Sequence, residues 1–323
     1  MVGAHLARYL LSIGQKVHGT VRWRSNLENI IEIKDSLTLH YCELKDKKNV
    51  DDMMEEVRPD TIFHLASQSI VWASFEAPKD TLDNNIGGTV NLLEAVRKFC
   101  PQAIFLMAGS SEQFGLVKES ECPVNENNPL RPLSPYAISK CATEMLAWQY
   151  YSSYGLKTVM TRAFNHSGRF RSPHFAESSF AKQVAERKLG LTIAPIKVGN
   201  LEARRDYTHV EDMVKAYWLA ANTCSYGEPY VIASGTAYSM RDVLDMLMDE
   251  AGIKCDIITD KRRLRPSDVP VLLGNPSKFI GKTGWMPEKD IRDICKDLLE
   301  WWTEKLERDM ADDERRLEKE RIF

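Results

Sequence analysis

The apolar run at residues 103–108 constrains the fold most, because it ends abruptly in Gly109-Ser110-Ser111-Glu112. An apolar run of this length is typical of a buried parallel strand. The small and hydroxylated residues after it predict that Ser110 lies at the carboxyl edge of a sheet, where open α/β sheets bind their ligands. Similar short runs alternate with amphipathic helical patterns along the chain, so the sequence predicts an α/β fold.

We expect one long helix at 80–99, in which Gly87-Gly88 permits close approach of another backbone, and a strand at 158–164 as the last of the large domain. Trp301 and Trp302 are expected to pack in the core.

Tyr136 and Lys140 stand four residues apart in the next predicted helix, which places them on one face. An ammonium beside a phenol favours the phenolate, so we expect the pKa of Tyr136 to lie below its usual value of about 10. Tyr136 could then exchange a proton with a carbinol oxygen, with Ser110 as hydrogen-bond partner. The same spacing arises by chance in many helices, and the preceding Ser-Ser-Glu strand end makes it more specific here.

Composition favours a soluble globular protein over several other classes. The formal net charge of −3 gives no overall bias toward nucleic acid or a membrane surface. Seven scattered cysteines form no Cys-x-x-Cys pair and no cluster with histidine, so neither a disulfide framework nor a metal site is predicted. No signal peptide and no apolar run of membrane-spanning length is evident. We therefore expect a cytoplasmic protein.

These features resemble the extended short-chain dehydrogenase/reductase family over about residues 3–302. The resemblance implies a Rossmann-type doubly wound parallel sheet with a smaller α+β carboxyl-terminal substrate domain. It assigns catalytic roles to Ser110, Tyr136 and Lys140. We expect an NADP-binding domain at residues 1–165, a nucleotide-sugar domain interleaved with it at 166–303, and a charged tail at 304–323.

The first residues match only the end of the family's Gly-x-x-Gly-x-x-Gly turn, with Gly3 as its third glycine. We expect the codons upstream of Met1 to encode an apolar strand and the first two glycines in frame. A stop codon there would instead favour a non-catalytic nucleotide-sugar-binding protein, because most of the cradle for the pyrophosphate would be lost.

The second predicted strand ends in Arg22-Trp23-Arg24, with no acidic residue next to it. A dinucleotide fold reads the adenosine ribose at this point, and arginine there suits a 2′-phosphate. We therefore expect NADP(H), although a solvated basic loop would look the same. The resemblance adds further cofactor contacts. They are Gly3, Glu43, Leu44, Leu65, Ala66, Tyr136, Lys140 and His166.

Arginines in the second half suggest a nucleotide-sugar substrate. Arg205 and Arg265 suit a diphosphate, because a guanidinium donates two parallel hydrogen bonds. Asp268 could accept the paired N–H donors of a guanine edge. The segment around Arg205 and the loop with Arg265 and Asp268 could each, taken alone, equally form surface salt bridges.

Three stretches together resemble the group of GDP-mannose 4,6-dehydratases and GDP-4-keto-6-deoxymannose reductases. They are Arg-Ala-Phe-Asn-His166, Gly-Asn-Leu-Glu-Ala203 and Arg-Pro-Ser-Asp-Val269. The resemblance implies contacts with the GDP-hexose from Ser67, Gln68, Asn165, Lys182, Arg205, Arg265 and Asp268. The tract 169–175 departs from the group's usual sequence, which puts the closure over the cofactor in doubt.

The dehydratase resemblance implies internal hydride transfer from C4 to C6 of GDP-mannose through NADP, with loss of water. Tyr136 would act as base at the C4 hydroxyl, and Glu112 would take the C5 proton and assist departure of the C6 hydroxyl. An NADPH-consuming 4-reductase remains the alternative, since it needs only the triad. The family often forms dimers or tetramers, so we also expect a homo-oligomer.

Overall fold

The structure is a computed structural model that describes residues 1–264 and 269–322, with side chains to residue 313 and at 315. Strands and helices alternate through the first half. In chain order they are α1 (Val2–Ser12), β1 (His18–Val21), β2 (Thr38–Tyr41), α2 (Lys47–Val57), β3 (Thr61–His64), α3 (Val71–Glu76), α4 (Pro78–Leu82), α5 (Gly88–Phe99), β4 (Ile104–Ala108), α6 (Pro135–Tyr154) and β5 (Lys157–Ala163).

The second half has shorter strands between its helices. Its elements are β6 (Asn165–Ser167), α7 (Ala176–Lys188), β7 (Ile196–Val198), β8 (Arg204–His209), α8 (Val210–Thr223), β9 (Pro229–Ile232), β10 (Ala237–Ser239), α9 (Met240–Ala251), β11 (Ile257–Thr259), β12 (Val271–Leu272), α10 (Ser277–Thr283) and α11 (Ile291–Ile322).

A parallel sheet in the order β3-β4-β5-β9 forms the centre, and β1 and β2 form a separate parallel pair. Alternate residues of the central strands face opposite layers. Phe105 and Met160 pack with α2, α5 and α6, whereas Leu106 and Val159 pack with α8 and α10. Burial on both faces explains why these strands read as continuous apolar runs. The predicted α/β fold with a doubly wound parallel sheet is confirmed.

Two predicted elements differ from the structure. The helix predicted at 80–99 is interrupted by a wider turn at Asp83–Gly87 before α5 begins. A Cβ on Gly88 would lie 3.1 Å from the Leu44 Cβ, so this glycine permits the close approach expected there. The prediction that the strand at 158–164 is the last of the large domain was wrong, because β9 pairs with β5 and extends the same sheet.

The rest of the second half forms a smaller unit. Strand β8 lies between β10 and β12 and also pairs with β6, while β7 pairs with β11. Helices α7, α9 and α11 pack around one apolar cluster that includes Trp301 and Trp302, both buried as predicted. Because β9 lies in the central sheet, the two halves are interleaved. Within the described ranges, no helix has the length and apolar character needed to cross a membrane.

Candidate active site

Strand β4 carries Ser110 to the carboxyl edge of the central sheet, as its sequence predicts. The chain then turns into a short 3-10 helix at Ser111–Gln113, and the Ser110 Oγ accepts the Glu112 N–H at 3.2 Å. A Cβ on Gly109 would lie 2.1 Å from the Thr161 carbonyl oxygen, so only glycine fits before the turn. The Ser110 hydroxyl is therefore held at the edge by local capping.

Helix α6 begins with a strong start signal, because the Ser134 hydroxyl accepts the Ala137 N–H and Pro135 occupies the first turn. This start places Tyr136 beside the turn, where its phenol shares a hydrogen bond with Ser110. The Lys140 Nζ donates to the Ala108 carbonyl oxygen at 2.7 Å and lies 5.9 Å from the centre of the Tyr136 ring. The four residues predicted to be catalytic therefore share one edge of the sheet.

The pKa of Tyr136 is raised to about 12, chiefly because burial disfavours the phenolate. The hydrogen bond from Ser110 and the charge of Arg171 lower it, and the charge of Glu112 raises it further. Burial lowers the pKa of Lys140 to about 8. The expected lowering of the phenol pKa by Lys140 is therefore wrong for this chain, because the ammonium is directed to a backbone carbonyl. Tyr136 is therefore protonated at neutral pH in this structure, and it must lose that proton before it can act as the expected base at the C4 hydroxyl.

Arg171 lies near the catalytic edge, and the sequence assigned it no role. Its Nε donates to the Glu177 carboxylate at 3.1 Å, and its guanidinium lies 3.4 Å from the centre of the Phe175 ring. Its positive charge acts on both Tyr136 and His166. The loop after β6 therefore lies close to the catalytic edge. The basic tract at 169–175 was the available signal, but spacing alone did not indicate which arginine faces the site.

His166 is held by a hydrogen bond between its Nδ1 and the Phe164 carbonyl oxygen at 2.9 Å. Burial, with a contribution from Arg171, lowers its pKa to about 4. The imidazole is therefore neutral at pH 7. The charge of Arg171 acts on both His166 and Tyr136, so His166 lies near the catalytic edge. This agrees with a position near the nicotinamide, which stays a prediction.

The predicted cofactor residues follow strand ends or open a helix. Gly3 is exposed in the first turn of α1, and no heavy atom lies within 4 Å of the position its Cβ would take. Arg22 and Arg24 are exposed after β1, and residues 21–27 contain no acid. The pairs Glu43-Leu44 and Leu65-Ala66 follow β2 and β3. This donor set fits a dinucleotide that carries a 2′-phosphate, since two exposed guanidinium groups follow β1, where a dinucleotide fold reads the ribose.

Replacing Arg22 by alanine should weaken NADPH binding far more than NADH binding. A charge-assisted hydrogen bond contributes about 1.5–3 kcal/mol, so the preference for NADPH should fall by about tenfold or more. Fluorescence titration of both cofactors measures the ratio, and Lys16→Ala, on the loop before β1, is a control of the same charge. Equal losses for the two cofactors would place Arg22 away from the ribose.

The predicted substrate residues of the first half are largely engaged within their own loop. The Ser67 hydroxyl donates to the Gln68 carbonyl oxygen at 3.2 Å. The Gln68 amide donates to Thr81 and to the Ile70 carbonyl oxygen and accepts the Ile70 N–H. These contacts shape the loop beside α6, and the role of both residues toward substrate stays a prediction.

Three predicted substrate residues of the second half lie on neighbouring elements of the smaller unit. Asn165 hydrogen-bonds the Tyr207 hydroxyl. The ammonium of Lys182, on α7, lies 5.6 Å from the centre of the Trp302 ring. Arg205 donates to the Val269 carbonyl oxygen at 2.7 Å. Arg265 and Asp268 lie outside the described residues. Among the described residues, no group of three or more His, Cys, Asp or Glu side chains could hold a metal ion.

Comparison with known proteins agrees with this geometry. The profile of the family described as GDP-mannose 4,6 dehydratase matches residues 1–298. A GDP-mannose 4,6-dehydratase of Vibrio cholerae is 33% identical, covering 92% of this chain and 90% of that protein. The GDP-6-deoxy-D-mannose reductase of Pseudomonas aeruginosa is 32% identical, covering 81% of this chain and 86% of that protein.

Two solved structures share the fold. The structure of RMD from Pseudomonas aeruginosa complexed with NADPH superposes with a TM-score of 0.82 at 29% identity, covering 94% of this chain and 96% of that one. The UDP-glucose 4-epimerase of Thermus thermophilus complexed with NAD gives 0.84 at 28% identity, with the same coverage. Fold and triad together define an extended short-chain dehydrogenase/reductase. Within that class, the chain belongs to the GDP-mannose 4,6-dehydratase family of enzymes.

Proposed function

We propose that this chain is an NADP-dependent GDP-mannose 4,6-dehydratase, which converts GDP-mannose to GDP-4-keto-6-deoxymannose. The observation that carries the proposal is Glu112, two residues after Ser110 and close enough to raise the pKa of Tyr136. Removal of water needs a second acid–base group beside the one that acts at C4. The match to the family over residues 1–298 supports the same reaction.

Each residue of the catalytic edge has a separate task in this proposal. Ser110 hydrogen-bonds the C4 oxygen and orients it toward Tyr136, which exchanges the proton of the C4 hydroxyl. Lys140 braces the helix against β4 through the Ala108 carbonyl oxygen. Glu112 takes the C5 proton and returns it to the departing C6 hydroxyl.

Arg22 and Arg24 would hold the 2′-phosphate of NADP, with Gly3 at the start of α1 near the pyrophosphate. When bound, the cofactor would supply the hydride acceptor and donor that the reaction needs. The NADPH complex of the Pseudomonas aeruginosa protein supports this choice of cofactor. Residues Asn165, Lys182 and Arg205, with Arg265 and Asp268 outside the described part, remain the proposed GDP-sugar contacts.

The test is product formation from GDP-mannose with a catalytic amount of NADP⁺. A 4-keto-6-deoxy sugar should accumulate with no net change in NADPH, followed by mass spectrometry and absorbance at 340 nm. If the protein is folded and binds NADP but leaves GDP-mannose unchanged, the proposal is contradicted.

A reductase that consumes NADPH is the second candidate, favoured by the similarity to the GDP-6-deoxy-D-mannose reductase over 81% of this chain. Stoichiometric oxidation of NADPH by the 4-keto-6-deoxy sugar, without any action on GDP-mannose, would support it over the dehydratase. The two assays use the same protein and differ only in the sugar supplied.

We also propose that the protein is a cytoplasmic homo-oligomer. Helix α6 exposes large apolar side chains along one side, with Ile138, Met145 and Trp148 between 48% and 63% exposed. A second copy of the chain would cover them. Light scattering of the native protein and of Met145→Asp measures the oligomeric state, and a monomeric native protein would contradict this part of the proposal.

A further inference from the structure

A buried polar network lies directly behind the Ser110 turn. Gln113 is fully buried, and its amide oxygen accepts the Ser110 N–H at 2.8 Å. Its amide nitrogen donates to the Glu144 carboxylate at 2.7 Å. Glu144 lies on α6 two turns after Tyr136 and is 7% exposed.

Arg162 of strand β5 anchors the network. Its Nε and Nη2 donate to the two oxygens of Glu144 at 3.0 and 2.7 Å, and its Nη1 donates to the Glu126 carbonyl oxygen at 3.0 Å. Such a two-pronged pair in a buried place holds the carboxylate in one orientation. The Gln113 amide therefore has only one orientation in which its oxygen accepts from the Ser110 N–H and its nitrogen donates to Glu144.

The network joins the two elements that carry the acid–base groups. Ser110 and Glu112 lie on the turn after β4, whereas Tyr136 and Lys140 lie on α6 together with Glu144. Gly109 belongs to the same arrangement, because a Cβ there would lie 2.5 Å from the Gln113 amide oxygen. A bridge between turn and helix sets the distance between the hydroxyl, the carboxylate and the phenol.

We propose that Gln113, held by Glu144 and Arg162, is a positioning residue that sets the distance from Ser110 and Glu112 to Tyr136. The inference rests on the proposed function of that edge. A displacement of about 1 Å at reacting groups can cost about 10²-fold in rate. Removal of the bridge should therefore lower kcat while the GDP-sugar contacts on the smaller unit stay intact.

Two kinds of variant test the bridge. Gln113→Met keeps the length of the side chain and removes both hydrogen bonds. The exchange of the pair, Gln113→Glu with Glu144→Gln, restores a carboxylate that accepts from Ser110 and an amide that donates to this carboxylate, while Arg162 keeps one of its two acceptor oxygens at 144. Gln183→Met is the matched control, since Gln183 also accepts a backbone N–H, that of Lys197 at 2.8 Å, and donates to the Ser179 carbonyl oxygen.

For Gln113→Met we expect kcat to fall about 10- to 100-fold, with KM for GDP-mannose and calorimetric binding of GDP within about twofold of the native protein. The 109–115 segment should exchange its amide hydrogens faster. The exchanged pair should turn over faster than either Gln113→Met or Glu144→Gln alone, and slower than the native protein because Arg162 loses one acceptor oxygen. Gln183→Met should keep both kcat and the exchange rate of that segment.

Retention of kcat within about threefold in Gln113→Met would overturn the proposal, as would parallel losses of kcat and GDP binding. If Gln113→Met fails to fold, an exchanged pair that folds but turns over no faster than Glu144→Gln overturns it as well. Unchanged hydrogen exchange at 109–115 overturns it whatever the activity. A native protein inert toward GDP-mannose refutes the proposed function alone, because the exchange measurement still decides the bridge.

Discussion

Tyr136→Phe should lower kcat by about 10²–10⁴-fold, the usual contribution of a positioned acid–base group. The substitution removes only the hydroxyl that bonds Ser110, and the ring keeps its buried place at the start of α6. Binding of the GDP-sugar should not change, because the arginines proposed to hold it lie on other elements. Product formation gives kcat, and calorimetry with GDP gives the binding constant.

Tyr150→Phe is the matched control for this experiment. Tyr150 is also buried on α6, and its hydroxyl donates to Glu94 at 2.6 Å, away from the Ser110 turn. Loss of that bond should reduce stability without reducing kcat. Turnover by Tyr136→Phe within a few-fold of the native rate would remove Tyr136 from the mechanism.

Glu112→Gln should stop the loss of water while sparing the first proton and hydride transfer at C4. Product formation should fall by about 10²–10⁴-fold, since the amide cannot take the C5 proton. Absorbance at 340 nm should rise on addition of GDP-mannose and persist. Glu119→Gln, an exposed residue in the following loop, should behave like the native protein.

The same substitution also has a predicted effect on pH dependence. The negative charge of Glu112 raises the pKa of Tyr136, so its removal should lower that pKa and move the corresponding limb of the pH–rate profile to lower pH. Unchanged product formation and an unshifted limb would together contradict a catalytic place for Glu112. A reductase would instead reduce its keto sugar at a nearly native rate in this variant.

The catalytic edge could be predicted from sequence because its signals are local. Ser110 follows a buried strand directly, and Tyr136 and Lys140 are one helical turn apart, so neighbouring residues alone define their geometry. The interruption before Gly88 and the place of β9 were missed. Both features depend on which distant segment of the chain packs against the element, and a short sequence pattern contains no information about that segment.

The predicted pKa of Tyr136 was wrong for the same reason. The expected low pKa of Tyr136 assumed that a lysine on the same face acts on the phenol. In the folded chain the ammonium bonds the Ala108 carbonyl oxygen, and burial outweighs the remaining charges. Arg171, 35 residues beyond Tyr136 in the sequence, acts on the phenol through a loop whose position no spacing rule predicts.

The sequence by itself determined the alternation of strand and helix, the family, and which residues are proposed as acid–base groups, since periodicity and short spacing are properties of neighbouring residues. Only the tertiary structure decided how those groups are charged and held. It buried Tyr136 and Lys140 together, and it placed Gln113 between the Ser110 turn and Glu144. Burial and long-range hydrogen bonds exist only once distant segments pack, which is why they are read from the fold.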